Sequence, residues 1–134
     1  MQELRKITQE QLEEILLKHK LYLENKEGGE KADLSYCDLG YANLIGAILI
    51  GANLRYANLR YANLENANLE NAYLRYADLR YANLRDANLI GANLIGADLK
   101  YADLGYTYLG GAYLRDADLE GADLRDANLE NTII

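Results

Sequence analysis

From Leu34 to Leu129 every fifth residue is leucine, without a break, and the residue two before each is almost always alanine. A period of five is neither the 3.6 of an amphipathic helix nor the 2 of a half-buried strand. It fits a stacked coil, in which each repeat buries its apolar positions only against its neighbours. The expected architecture is therefore a solenoid. Two units are expected: residues 1–31 as a helical cap with a Gly-Gly junction, and residues 32–134 as the repeat.

The first unit carries helix-start signals. Thr8 is placed to N-cap, Gln11 stands three residues later for a capping box, and Ile7 is placed to staple onto Leu12. Leu12, Ile15, Leu16 and His19 then recur at helical spacing. The stretch KLYLENKEGG either continues this helix or turns into a short second one, with Gly28 and Gly29 as its end. A single amphipathic helix cannot bury its stripe alone, so it is expected to lie over the open end of the coil as a cap. His19 is expected to pack there with one nitrogen paired.

The second unit reads RYANL RYANL ENANL ENAYL and closely resembles the pentapeptide repeat family, whose pattern is A(D/N)LXX. The resemblance covers about three quarters of the chain. It implies an all-β solenoid, a right-handed quadrilateral β-helix of about five coils with four pentapeptides each, alanine and leucine pointing inward. Departures at the alanine position are Cys37, Thr107 and Thr132, all small, and Cys37 reads as a buried small hydrophobe. Overpacking at an alanine such as Ala77 is expected to destabilise the rod.

Sorting the outward positions by twenty residues exposes a second order. Tyr36, Tyr56 and Tyr76 fall in one column, and Tyr41, Tyr61, Tyr81 and Tyr101 in the next. Beside them run Arg55 and Arg75, then Arg60, Arg80 and Lys100. The other two sides carry Glu65, Asn66, Glu70, Asn71, Gly91, Gly110 and Gly111, so the rod reads as two-sided. Arg60 above Arg80 places like charges together, which needs an offset. Aromatic stacking and cation–π contact supply one, and duplication of a twenty-residue unit would copy the columns without any selection. The functional reading is a recognition surface for an acidic or aromatic partner, since tyrosine and arginine dominate interface hot spots. Tyr73 and Tyr113 break the Asn/Asp column and have no functional account at this level.

Composition narrows the function classes. The net charge of −7 lies mostly at the C-terminal end, and an acidic chain repels nucleic acid and anionic membranes. One cysteine and one histidine argue against a metal site of those ligands, and no cofactor is expected. No nucleophile–base pair or phosphate loop stands out from the repeat, so no enzyme is expected. The start is charged rather than signal-like, no apolar run suits a membrane span, and a cytoplasmic protein is expected.

The remaining reading is a rigid interaction scaffold with an unidentified protein partner. The resemblance implies an alternative, because some family members mimic duplex DNA and bind DNA gyrase. The copied units and narrow alphabet also fit an engineered consensus repeat. The last residues, Leu129, Thr132, Ile133 and Ile134, leave an apolar coil edge, from which a head-to-head homodimer is expected.

Overall fold

The computed structural model describes residues 3–134. Three named elements occur among them: strand β1 (Arg5–Lys6), helix α1 (Gln9–Leu23) and strand β2 (Cys37–Asp38). The rest of the rod is built from five-residue sides joined by turns. Parallel bridges link Asp33 to Asn53, Asn53 to Tyr73, Tyr73 to Asn93 and Asn93 to Tyr113, and the other three sides repeat this register. One coil is therefore twenty residues, four pentapeptides.

The hydrogen bonds explain why the repeat has this alphabet. The Leu54 N–H donates to the Tyr73 carbonyl and the Tyr56 N–H to that of Arg75, both one coil onward. The Asn53 N–H donates back to Ala32, and the Ala57 N–H closes its turn onto Leu54. The fifth N–H, on Arg55, goes to the Asn53 side chain at 3.2 Å. Every donor of the pentapeptide thus has an acceptor, as buried or closely stacked backbone demands. The Asn/Asp position is required for the fifth bond, a local side-chain turn that longer residues cannot make.

Leucines 34 to 114 and most of the alanines between them form one continuous buried column, with Cys37 and Thr107 filling alanine places. Thr107 satisfies its hydroxyl by donating to the Leu104 carbonyl at 2.8 Å. Leu119 and Leu124 are only half-buried and pack against this column.

α1 forms as the capping signals require. The Thr8 side chain accepts from the Gln11 N–H, and the Gln11 side chain accepts from the Thr8 N–H at 2.8 Å. Leu12 is buried in the same core as the leucine column, with Ile7, Ile15 and Leu16 packed against it. Its end differs from expectation. The chain turns at Asn25, which has φ 56°, while Lys26 and Asn25 donate back to Leu21 and Tyr22. This is a Schellman ending with asparagine in the left-handed position, reached before either glycine. Gly29 has another purpose: a Cβ there would lie 2.4 Å from the Tyr22 backbone nitrogen. The returning chain presses against the helix backbone, and only glycine fits.

His19 also departs from the one-nitrogen expectation. Its Nδ1 accepts from the Ala32 N–H at 3.0 Å, which leaves the proton on Nε2, facing the Ile50 carbonyl at 2.8 Å. The coil edge offers both a spare donor and a spare acceptor, and one imidazole satisfies the two. Burial holds its pKa below the ordinary value, against the opposing pull of the Ile50 carbonyl, and Lys31 adds to the depression.

β1 is an element the sequence reading did not contain. It pairs in parallel with β2, Arg5 opposite Cys37 and Lys6 opposite Asp38, and so extends one side of the rod by a strand. The Arg5 guanidinium then donates to the Ser35 and Asp33 carbonyls of the same edge. No helix among the described residues is long and apolar enough to cross a membrane.

Candidate functional site

Each turn places its third residue at positive φ. Glycine, asparagine and aspartate occupy this slot on much of the rod, as at Gly51, Asn66 and Asp86. Eight tyrosines occupy it elsewhere: Tyr36, Tyr41, Tyr56, Tyr61, Tyr76, Tyr81, Tyr101 and Tyr106. A residue with a Cβ in the left-handed region costs roughly 1–2 kcal/mol, and tyrosine has no short polar side chain to relieve it.

Stacking offsets that cost. Tyr36, Tyr56 and Tyr76 stack at 4.9 and 5.1 Å between ring centroids. Tyr41, Tyr61, Tyr81 and Tyr101 stack at 4.9, 4.9 and 5.2 Å, the rings within 13° of parallel. Each such pair is worth about 0.5–1.5 kcal/mol beyond its buried area. Both columns end on glycine: the Tyr76 ring covers Gly96 and the Tyr101 ring covers Gly121, at distances that leave no room for a Cβ. The first ring of the second column, Tyr41, is 77% exposed.

The cations beside the tyrosines fall into two groups. Arg80 binds Asp78 at 2.6 Å and lies 3.5 Å from Asp98, and Lys100 bridges Asp98 at 3.0 Å and Asp118 at 3.3 Å. Alternation with aspartate therefore offsets the Arg80–Lys100 repulsion. Burial alone would raise the pKa of Asp78, but the hydrogen bonds from Arg80 outweigh it and hold the carboxyl low. Hydrogen bonds to Asp98 and then Asp118 raise that of Lys100. Arg60, by contrast, lies over Tyr61 at 5.9 Å, and Arg75 over Tyr76 at 5.6 Å. Among the described residues neither has a carboxylate partner, and the Nε of each is buried without an acceptor.

The rod is less two-sided than the sequence reading held. On the third side Arg85 lies over Tyr106 at 5.3 Å and reaches Asp103 at 3.5 Å, while Arg125 grips Asp123 at 2.7 Å. The Arg125 hydrogen bonds hold Asp123 down to about 2. Tyr73 also gains an account, since Arg55 and Lys31 lie over its ring at 4.7 and 4.9 Å. Apart from the local Arg125–Asp123 pair, these groups were missed because their partners stand eighteen, twenty-one or forty-two residues away. A search along the diagonals of the twenty-residue grid, as well as down its columns, would have found several of them.

At the far end, Leu129 and Ile133 are exposed and Ile134 almost wholly so, while the Thr132 hydroxyl donates to the Leu129 carbonyl at 3.0 Å. No group of three or more His, Cys, Asp or Glu side chains among the described residues is placed to hold a metal ion.

This geometry, a rod of four-sided coils with a leucine axis, is matched by comparison with known proteins. The profile of pentapeptide repeats matches residues 32–71, 52–91, 67–104 and 92–131. The chain belongs to the pentapeptide repeat family, whose members adopt a right-handed quadrilateral β-helix. Among solved structures, it is 31% identical to the pentapeptide repeat protein Rfr23 of the cyanobacterium Cyanothece 51142, with a TM-score of 0.66, over 86% of this chain and 90% of that one. It is 33% identical to alr5209 of Nostoc Pcc 7120, with a TM-score of 0.66, over 84% and 92% of the two chains. A pentapeptide repeat protein of the Arabidopsis thaliana thylakoid lumen is 29% identical, with a TM-score of 0.51, over 77% and 68%. No curated protein sequence matches the chain.

Proposed function

We propose that the protein is a rigid, non-enzymatic scaffold that presents its tyrosine and arginine columns to a protein partner. The observation that carries this reading is the eight tyrosines held at positive φ. Glycine or asparagine would fill those turns without strain, and strained backbone tends to collect where a surface is used. Stacked rings on a fixed backbone have little freedom left to lose, so they bind with little ordering cost. In this reading α1 caps the first coil, and a second copy covers the apolar edge at Leu129, Thr132, Ile133 and Ile134.

Mimicry of duplex DNA fits less well. Asp78, Asp98, Asp103, Asp118 and Asp123 already lie within 4 Å of cations, which leaves fewer carboxylates to imitate phosphates.

The test is a pull-down with wild type and with the combined Arg60→Gln, Tyr61→Gly, Arg80→Gln, Tyr81→Gly variant. The variant is expected to lose the partners that wild type captures. Tyr61→Gly alone is expected to cost no more than about 2 kcal/mol, because relieved backbone strain of about 1–2 kcal/mol offsets most of the about 1–3 kcal/mol of two lost stacks. Retained partners, or a large loss of stability from Tyr61→Gly alone, would make the column a structural device.

A further inference from the structure

The columns are not equivalent, and their difference points to the partner's chemistry. On the side that carries Tyr73, the cations Lys31, Arg55 and Arg75 have no carboxylate within ion-pair distance among the described residues, whereas on the next two sides Arg80, Lys100, Arg85 and Arg125 all do and Arg60 is the exception. Acidic residues outnumber basic ones, 21 to 14, so cations left without partners are not forced by composition. The acid beside this cluster, Asp33, is already engaged: it accepts from the Ser35 hydroxyl at 2.6 Å and lies 3.8 Å from Arg5. Asp116 is the other acid of this side, at positive φ in the slot below Gly96.

Two donors on Arg75 lack acceptors. Its Nε is buried with no partner. Its backbone N–H has lost the acceptor that Asn53 gives Arg55, because Tyr73 stands where the Asn or Asp belongs. Tyr73 in turn has Lys31 and Arg55 over its ring. Lys31, Asp33, Asn53, Arg55 and Tyr73 line an open groove, the Asp33 carboxylate being the one already held by Ser35 and Arg5.

We infer that this groove and the adjoining Arg75 dock a carboxylate-bearing segment of a partner protein. Resting on the scaffold reading, this names the side of the rod and the chemistry it recognises. Planar guanidinium groups with unused donors suit carboxylate oxygens, and the Tyr73 ring supplies an apolar floor. The cluster is local, three cations on a chain of net charge −7, so it suits a short acidic segment. A nucleic acid would carry its charge far beyond the cluster and meet repulsion there.

The experiment is fluorescence anisotropy with a labelled deca-glutamate peptide at low salt, where charge contacts are least screened. Wild type is expected to bind. Arg55→Gln with Arg75→Gln is expected to weaken binding by about tenfold or more, and Arg85→Gln with Arg125→Gln, on the third side, by less than about twofold. Amide shifts on the wild-type protein, independent of any variant's folding, are expected to centre on Tyr73 and Arg75. Absence of wild-type binding, equal loss in both double variants, or tighter binding of an oligothymidylate of the same charge would overturn the inference. If the peptide fails while the Tyr61 and Tyr81 variant still loses its captured partner, this inference falls and the scaffold stands.

Discussion

Ala77→Leu is expected to lower the melting temperature by roughly 5–15 °C, from an overpacking cost of about 1–3 kcal/mol at about 4–5 °C per kcal/mol for a domain of this size. The Ala77 methyl is buried between Ala57 and Ala97, also buried, one coil to either side. Its backbone cannot retreat, because its N–H closes the turn onto Leu74 at 3.1 Å and its carbonyl accepts from Asp98 at 2.9 Å. The added atoms must therefore displace Leu74 or Leu79 in a column that is already filled. Ala122→Leu is the control, since Ala122 is only half-buried and has room to adjust. A thermal melt of both variants checks this; equal, small shifts would mean that the axis is loosely packed.

The second large effect is expected at His19. Its folded pKa lies below the ordinary 6.5, because burial disfavours the imidazolium. The unfolded state then binds the proton more readily than the folded one. The stability due to neutral His19 is thus complete above about pH 6.5 and is lost as pH falls through that value toward the folded pKa. Protonation also removes the acceptor for the Ala32 N–H, so the loss includes a bond that ties α1 to the coil. The depressed carboxyls Asp33, Asp78, Asp118 and Asp123 act in the same direction, but only as pH falls below about 4, so the two windows separate. Urea titrations at pH 7.5 and 5.0 are expected to show lower stability at pH 5.0 for wild type. His19→Leu is expected to lose this dependence. It is also expected to be less stable at pH 7.5 by about 1–3 kcal/mol for each backbone group left unpaired. An unchanged pH response in His19→Leu would place the titrating group elsewhere.

What the sequence made legible follows from what repeats. The register, the leucine axis and the tyrosine columns are periodic, so residue arithmetic alone aligned Tyr61 with Tyr81. The helix start was legible because Thr8 and Gln11 form a local pattern three residues long. What escaped was aperiodic or distant. β1 is two charged residues without alternation, and it pairs only because an edge thirty-two residues away has free backbone groups. The Ile50 partner of His19 lies thirty-one residues off in a turn that nothing local marks. Asn25 ended the helix ahead of two glycines because its own side chain tolerates the left-handed region. The division of cations into paired and unpaired was hidden as well, since it depends on the diagonal reach of each side chain.

The complete use of backbone donors within a single pentapeptide has a mechanical consequence. Each five-residue side bonds to the sides one coil before and one coil beyond it, and those with Asn or Asp before the leucine use every donor, so the rod works like a gear with four teeth. Removing twenty residues from the middle would shorten it and leave every column in line. Removing five would keep the hydrogen bonding and the leucine axis but turn everything downstream by a quarter of a revolution, carrying Arg80 and Tyr81 round to a neighbouring side. Small in-frame changes of length can therefore re-index the surface without refolding the interior.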